Sequence, residues 1–256
     1  MKPAPFIYHR AETAAHAAEV LAQFGDDVRI LAGGQSLLPM MNLRIAAPGH
    51  LLDISKTADL MTIEVGVDSL EVGAAATYRR VAEHGAIEQF PIIATAISHV
   101  GHEPIRNRGT IVGSIAHNDP AGELPAVALA LGAEVQLRSL RGSRSVSIDD
   151  FLTEAYCTTI ADDELIEAIR FPRPAASTGH GFAEYARRRG DYASAGVACQ
   201  VRYGPRRFSC RMPGRDPRRR RCGATPPGRG GAHRLRRDRW LGRRARGASH
   251  RGQRHR

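Results

Sequence analysis

What most restricts this chain is a break at Gly204. Before it, apolar residues recur at helix and strand spacing. After it that periodicity stops, and Arg, Gly and Pro take over, as in Arg218-Arg219-Arg220-Arg221 and Pro226-Pro227-Gly228-Arg229-Gly230-Gly231. Val and Ile are absent from residues 204–256, and only Leu235 and Leu241 remain of the large aliphatics. Such a stretch cannot bury enough apolar surface to offset the entropy lost on ordering it. A folded core is therefore expected from residues 1–203 alone. Charge divides at the same point. Residues 1–203 hold 18 Lys+Arg against 24 Asp+Glu, a net of −6, whereas residues 204–256 hold 19 Arg, no Lys and two Asp, a net of +17. The overall +11 thus belongs to the last 53 residues, and the rest reads as a mildly acidic soluble protein. Two readings of the basic segment compete. One is a disordered Arg/Gly arm that binds nucleic acid. The other is a G+C-rich gene read out of frame, which enriches Arg, Gly, Pro and Ala and depletes Lys, Ile and Val. The absence of Lys favours the second.

Within residues 1–203, other classes fall away. No apolar run approaches the roughly 18–20 residues of a membrane helix, and Met1–Arg10 lacks the basic and apolar pattern of a secretory leader. The four cysteines, Cys157, Cys199, Cys210 and Cys222, form no C-x-x-C pair, so neither a zinc site nor an iron–sulfur cluster is encoded. Cys157 and Cys199 read as buried thiols of a reducing, cytoplasmic compartment. His99, His102 and His117 have no acidic or Cys partner at ligand spacing, so no metal site is expected.

The periodicity predicts a helix over 11–24 closed by Gly25, strands over 28–32, 50–54, 61–67 and 70–74, and a helix capped by Thr77. Helices over 87–99 and 124–131 and strands over 133–137 and 164–171 follow. Residues 172–179 have linker composition, and strands over 182–187 and 195–203 begin a second domain. Strands and helices interleave without a regular βαβ rhythm, which gives an α+β class. The domains read as 1–176, 177–203 and a 204–256 tail.

Three polar segments could carry chemistry. In Ala32-Gly33-Gly34-Gln35-Ser36, a strand runs into two glycines, which lets successive N–H groups converge on an anion. Arg106 to Pro120 packs Thr110, Gly113, Ser114, Asn118 and Asp119 into a stretch with little apolar periodicity, and reads as a long irregular loop around Ile111 and Val112. Arg187 to Ala193 offers Asp191 and Tyr192, the latter able to stack on a flat ring. Three such clusters point to one elongated ligand carrying phosphates and a flat ring. A Rossmann G-x-G-x-x-G is missing from residues 1–203, as are a P-loop, H-E-x-x-H and G-x-S-x-G.

Ala32-Gly33-Gly34-Gln35-Ser36-Leu37-Leu38-Pro39 with Leu43-Arg44 resembles the first flavin motif of the FAD-binding medium subunits of molybdenum hydroxylases, the carbon monoxide dehydrogenase and xanthine dehydrogenase type. Arg106 to Pro120 resembles their second motif, and Arg188-Arg189-Gly190-Asp191-Tyr192-Ala193 the start of their C-terminal domain. The resemblance covers about residues 1–203. It implies a two-subdomain FAD domain of the vanillyl-alcohol-oxidase type, followed by a truncated α+β C-terminal domain. FAD would lie extended between the subdomains. Ala32, Gly33, Gly34, Gln35 and Ser36 would hold its pyrophosphate, Thr110, Ile111, Gly113 and Ser114 would line it, Asp119 would reach its ribityl or ring region, and Tyr192 would sit near the isoalloxazine. It also implies an oxidoreductase subunit with no catalytic side chain of its own. The molybdenum cofactor and two [2Fe–2S] clusters would reside on large and small partner subunits, and NAD, a quinone or oxygen would accept the electrons. The sequence departs from the family at Val112, where a glycine is usual. If that position needs positive φ or close flavin contact, a β-branched residue costs roughly 1–2 kcal/mol there. Weak flavin retention is a further expectation, because the arginine-rich segment stands where the family continues its C-terminal domain.

Overall fold

Residues 2–203 and 208–211 are described by the computed structural model. The first lobe is a small parallel sheet of β1 (Ile7–Arg10), β2 (Val28–Leu31) and β3 (His50–Asp53), with α1 (Ala14–Phe24) joining β1 to β2 and α2 (Leu37–Asn42) joining β2 to β3. β3 is central, and Ile7 and Val28 flank the same residue, His50. Thr13 caps α1, its hydroxyl accepting the His16 N–H at 3.1 Å, and Gly25 at φ +54° ends it. The buried residues of α1 are Ala14, Ala17, Ala18, Val20 and Leu21. The alanines at helical spacing allow α1 to approach closely, and it packs against β3 and against strands of the second lobe.

That second lobe comprises β4 (Ile63–Val65), β5 (Ser69–Gly73), α3 (Tyr78–Ala82), α4 (Pro91–His99), α5 (Glu103–Arg106), α6 (Ile111–His117), α7 (Glu123–Leu131), β6 (Glu134–Ser139), β7 (Gly142–Ser147), α8 (Ile148–Phe151) and β8 (Leu165–Pro172). Its five strands run antiparallel in the order β4-β5-β8-β6-β7. Leu52, Val72, Val135, Ile169, Phe90 and Phe171 are fully buried in one core joining the two lobes. Burying a side chain of this size contributes about 1.5–3 kcal/mol, so this shared core holds the lobes as one body. A third sheet follows, of β9 (Thr178–Tyr185), β10 (Ala195–Tyr203) and β11 (Phe208–Arg211), antiparallel with β10 in the middle. It covers α7 and α4.

The α+β class is the one observed. Where details differ, the reasons are local. The helix expected over 87–99 starts only at Pro91, preceded by a 3-10 turn over Gly85–Gln89, because proline lacks an N–H and fits only the first turn. β1 and β7 carry no clean alternation: both are short edge strands and mostly exposed. The segment read as a long loop holds α6, a two-turn helix too short for its periodicity to register. Cys157 is exposed and Cys199 partly so, against the expectation of buried thiols. Cys199 neighbours the fully buried Ala198 on β10, and successive strand residues face opposite ways. The expected boundary at 176/177 falls between β8 and β9. Four residues of the expected tail pair with β10, from Tyr203 opposite Phe208 to Gln200 opposite Arg211. The rest of 204–256, and with it the out-of-frame, nucleic-acid-arm and weakened-retention expectations, lies outside the described residues. Those that are described belong to the compact unit Met1–Ala224.

Candidate functional site

At the end of β2 the chain leaves the sheet. Ile54 takes the Leu31 carbonyl at 2.9 Å, and no strand partner follows for Ala32. Gly34 then turns at φ +72°, in the left-handed region that a Cβ disfavours. Leu38 N–H donates to the Gly34 carbonyl at 3.1 Å and starts α2, while Gln35 Nε2 donates to the Gly33 carbonyl at 3.0 Å. The N–H groups of Gly33, Gly34, Gln35, Ser36 and Leu37 donate to no acceptor among the described residues. Five consecutive free donors on one bend are a ready receptor for an anion.

Facing this bend is the chain from α5 into α6. Gly109 N–H donates to the Ile105 carbonyl at 2.7 Å, and Tyr78 N–H to the Gly109 carbonyl at 2.9 Å. Thr110 caps α6, its hydroxyl accepting the Gly113 N–H at 2.9 Å. A Cβ on Gly33 would overlap the Arg108 carbonyl oxygen and sit 2.6 Å from Gly109 Cα; one on Gly109 would sit 2.8 Å from Tyr78 Cε2. The two glycine-bearing segments, 75 residues apart, therefore meet backbone to backbone, and no side chain fits between them at that point.

Beyond the contact they diverge around a cavity of about 470 Å³, within the usual range for ligand pockets of ~300–1,000 Å³. Ala32, Gly33, Gly34, Gln35 and Ser36 line one wall, Thr110, Gly113 and Ser114 the other, and Asp119 and Tyr192 also line it. Ile111 is the exception among the expected residues: it is fully buried in the core and does not line the cavity. Residues 111, 112 and 115 form the inner face of α6, which puts Ile111 away from the wall that Gly113 and Ser114 present. Val112 does reach the lining, but it lies within α6 without positive φ, so the backbone strain anticipated for it is not present. The non-glycine residues with positive φ among the described residues are Arg44, at φ +58°, just after α2, and Asn118 and Tyr156, at φ +47° and +60°. Asn118 and Tyr156 are clasped together: Asn118 Nδ2 donates to the Glu154 and Cys157 carbonyls at 2.7 Å, and Tyr156 N–H to the Asn118 carbonyl at 2.9 Å.

Residues not singled out from sequence also line the cavity, among them Ile30, Met40, Tyr78, Ile105 and Glu123. Only Glu123 carried a usable signal, a carboxylate heading an otherwise apolar helix. Gly190, at φ +85°, brings Asp191 and Tyr192 over the site; a Cβ there would sit 2.8 Å from the Gly101 carbonyl oxygen. Burial, reinforced by Asp119 and Glu123, holds the Tyr192 hydroxyl above its usual pKa. Burial pushes Tyr78 well upward too, and raises the Glu123 carboxyl to about 7. Tyr156, Tyr192 and Glu123 all feel the charge of Asp119. The end of the cavity near Asp119 is thus acidic, while the glycine bend is a field of N–H donors. Among the described residues no group of three or more His, Cys, Asp or Glu is placed to hold a metal ion.

These features fit FAD. The turn that no Cβ tolerates, with its free N–H groups, suits a pyrophosphate, and Ile30, Ile105 and Val112 give apolar walls for flat rings. Comparison with known proteins agrees. The family described as FAD binding domain in molybdopterin dehydrogenase matches residues 4–174. The 6-hydroxypseudooxynicotine dehydrogenase complex subunit alpha of Paenarthrobacter nicotinovorans is 40% identical over 202 residues, covering 78% of this chain and 68% of that protein. The xanthine dehydrogenase FAD-binding subunit of Escherichia coli O157:H7 is 30% identical over 206 residues, covering 79% of this chain and 70% of that one. A solved structure of carbon monoxide dehydrogenase from Hydrogenophaga pseudoflava superimposes with a TM-score of 0.80 at 36% identity, covering 83% of this chain and 75% of its counterpart. The relatives are subunits of dehydrogenases, and this chain belongs to the family of FAD-binding domains of molybdopterin dehydrogenases.

Proposed function

We propose that this chain holds FAD as the electron-transferring medium subunit of a cytoplasmic molybdenum hydroxylase. Electrons would arrive from [2Fe–2S] clusters on a small partner subunit and leave to NAD, a quinone or oxygen. A large subunit bearing the molybdenum cofactor would oxidise the substrate. When bound, FAD supplies reversible redox chemistry, and the protein's task is to bind, orient and shield it. The N–H groups of Gly33 to Ser36 would take the pyrophosphate oxygens. The Thr110 and Ser114 hydroxyls would line the opposite side, and Ala32 and Gly113 leave room for close approach. Asp119 would reach the ribityl or ring end, and Tyr192 would cover the ring from the connection between β9 and β10 and exclude water. The observation carrying this reading is the free-donor bend of Gly33–Leu37 locked against Arg108–Gly109 beside one cavity. The test is direct: purified protein titrated with FAD should take up one flavin per chain and quench its fluorescence. A colourless preparation that takes up no added FAD overturns the reading. Tyr192→Ala should weaken uptake about tenfold, in line with the 1–1.5 kcal/mol of a lost ring contact. The family assignment leaves the nucleic-acid alternative without support.

A further inference from the structure

His117 and Asp119 line the cavity at the end of α6, and Asn118 stands between them. Asn118 closes the helix in the left-handed region, its N–H donating to the Ser114 carbonyl at 3.0 Å. Its side chain turns to a distant part of the chain, the turn at 154–157. There Nδ2 donates to two carbonyls, those of Glu154 and Cys157, each at 2.7 Å. The turn returns a third bond, from Tyr156 N–H to the Asn118 carbonyl at 2.9 Å. It is closed on itself by Cys157 N–H donating to the Glu154 carbonyl at 3.0 Å, and the Leu152–Thr158 bridge joins it to the chain beside the fully buried Phe151. Among the described residues none of 153–157 lines the cavity, so the turn acts on a ligand only through what it holds.

The chemistry at this position calls for asparagine. Among short side chains, only its amide carries two donors on one nitrogen, and its backbone tolerates the left-handed region better than most. Aspartate would set a carboxylate against two carbonyl oxygens. Glycine would keep the conformation and offer no donor, and alanine would lose both. On the other side Asp119 belongs to a turn of its own: its Oδ1 accepts the Ala121 N–H and its carbonyl the Gly122 N–H, both at 2.9 Å. Tyr156 meets the same stretch, its ring 5.2 Å from that of His117 and its hydroxyl within the field of Asp119. We propose that Asn118 is a positioning residue: by fastening the end of α6 to the 154–157 turn, it fixes the directions in which His117 and Asp119 enter the cavity, and with them the grip on the ligand at that end. The grip rests on the flavin reading; the fastening does not.

The fastening is tested without any flavin. In the full, unaltered chain the Tyr156 and Ala121 amides should share one degree of protection from hydrogen exchange, since a single opening releases both. Asn118→Gly should lower the Ala121 protection about tenfold, the weight of the two lost bonds, and Asn118→Asp should lower it further. Titrations with FAD, and with ADP, which carries the pyrophosphate without the ring, then separate positioning from general damage. Asn118→Gly should raise the FAD Kd about tenfold and leave the ADP Kd within about twofold of the parent. Unchanged Ala121 protection in Asn118→Gly overturns the inference, because the 119–122 turn then holds Asp119 unaided. Equal losses for FAD and ADP overturn it too, as they mark a purely structural role. An unchanged FAD Kd with lowered protection overturns the link to the ligand. If neither variant folds, the parent decides: unequal protection of the two amides overturns the inference and equal protection supports it. The expected exchange pattern together with no FAD uptake by the parent supports the fastening and sinks the flavin reading instead.

Discussion

The two glycine-bearing segments that meet at the cavity do opposite things with the same residue type. The bend at 33–37 is irregular, turns through Gly34 at φ +72° and leaves five N–H groups without an acceptor among the described residues. The segment from Gly109 is quickly regular: Thr110 caps α6, and Gly113 sits inside a helix with no special φ. One segment offers backbone donors, and the other offers a capped, rigid wall. A glycine is therefore required for opposite reasons at different points, for conformation at Gly34 and for lack of bulk at Gly33 and Gly109.

Substitutions can separate these roles. Gly33→Ala should have the largest effect, about 3 kcal/mol of lost stability with loss of FAD uptake, because its Cβ would meet the Arg108 carbonyl rather than a side chain able to rotate away. Thermal melts and flavin stoichiometry check it; a near-native melt would mean that the two segments do not need their backbone contact. Gly34→Ala should cost about 1–2 kcal/mol through its positive φ, since the atom a Cβ would meet is the mobile end of Leu38. Thr110→Ala removes the α6 cap and should cost about 1 kcal/mol, with Thr110→Ser restoring most of it. Glu123→Gln tests the acidic end of the same wall. Because the Glu123 pKa is raised from 4.5 to about 7 on folding, its contribution to stability is complete below the lower value and is lost as pH rises through the higher. The variant should therefore melt about 2–4 °C above the parent at pH 8 and level with it at pH 4. Gly113→Ala should be the mildest, within about 0.5 kcal/mol, as better helix propensity offsets crowding of the Thr110 hydroxyl alone. If Gly113→Ala were instead as damaging as Gly33→Ala, the second segment would be a close-approach site like the first.

Much of the fold was legible because its signals are local. Thr13 and Thr77 were readable as cap types, and Thr77 was read so; each does accept the N–H three residues on. The Asp68–Ser69 turn between β4 and β5 and the apolar strands β8 and β10 carry enough alternation or β-branched content to be placed within a residue or two. The site was legible through its glycines and hydroxyls, and all of the expected residues but Ile111 line one cavity. Ile111 was misplaced because the facing of a two-turn helix depends on what packs beneath it. Glu184 left no mark in sequence: a single Glu in a strand resembles any exposed acid, and only the packing of β9 on α4 makes it a buried one.

The sequence by itself determined the element types, the halt in apolar patterning at Gly204 and the place of the glycine-bearing bend at 33–37, since propensity, capping and glycine conformations act over a few neighbouring residues. Only the tertiary structure decided that Gly33 touches Arg108, that the Glu184 side chain is buried, and that Ile111 points inward. Each of these is set by residues distant along the chain, brought together when the two lobes and the third sheet bury their apolar faces against one another.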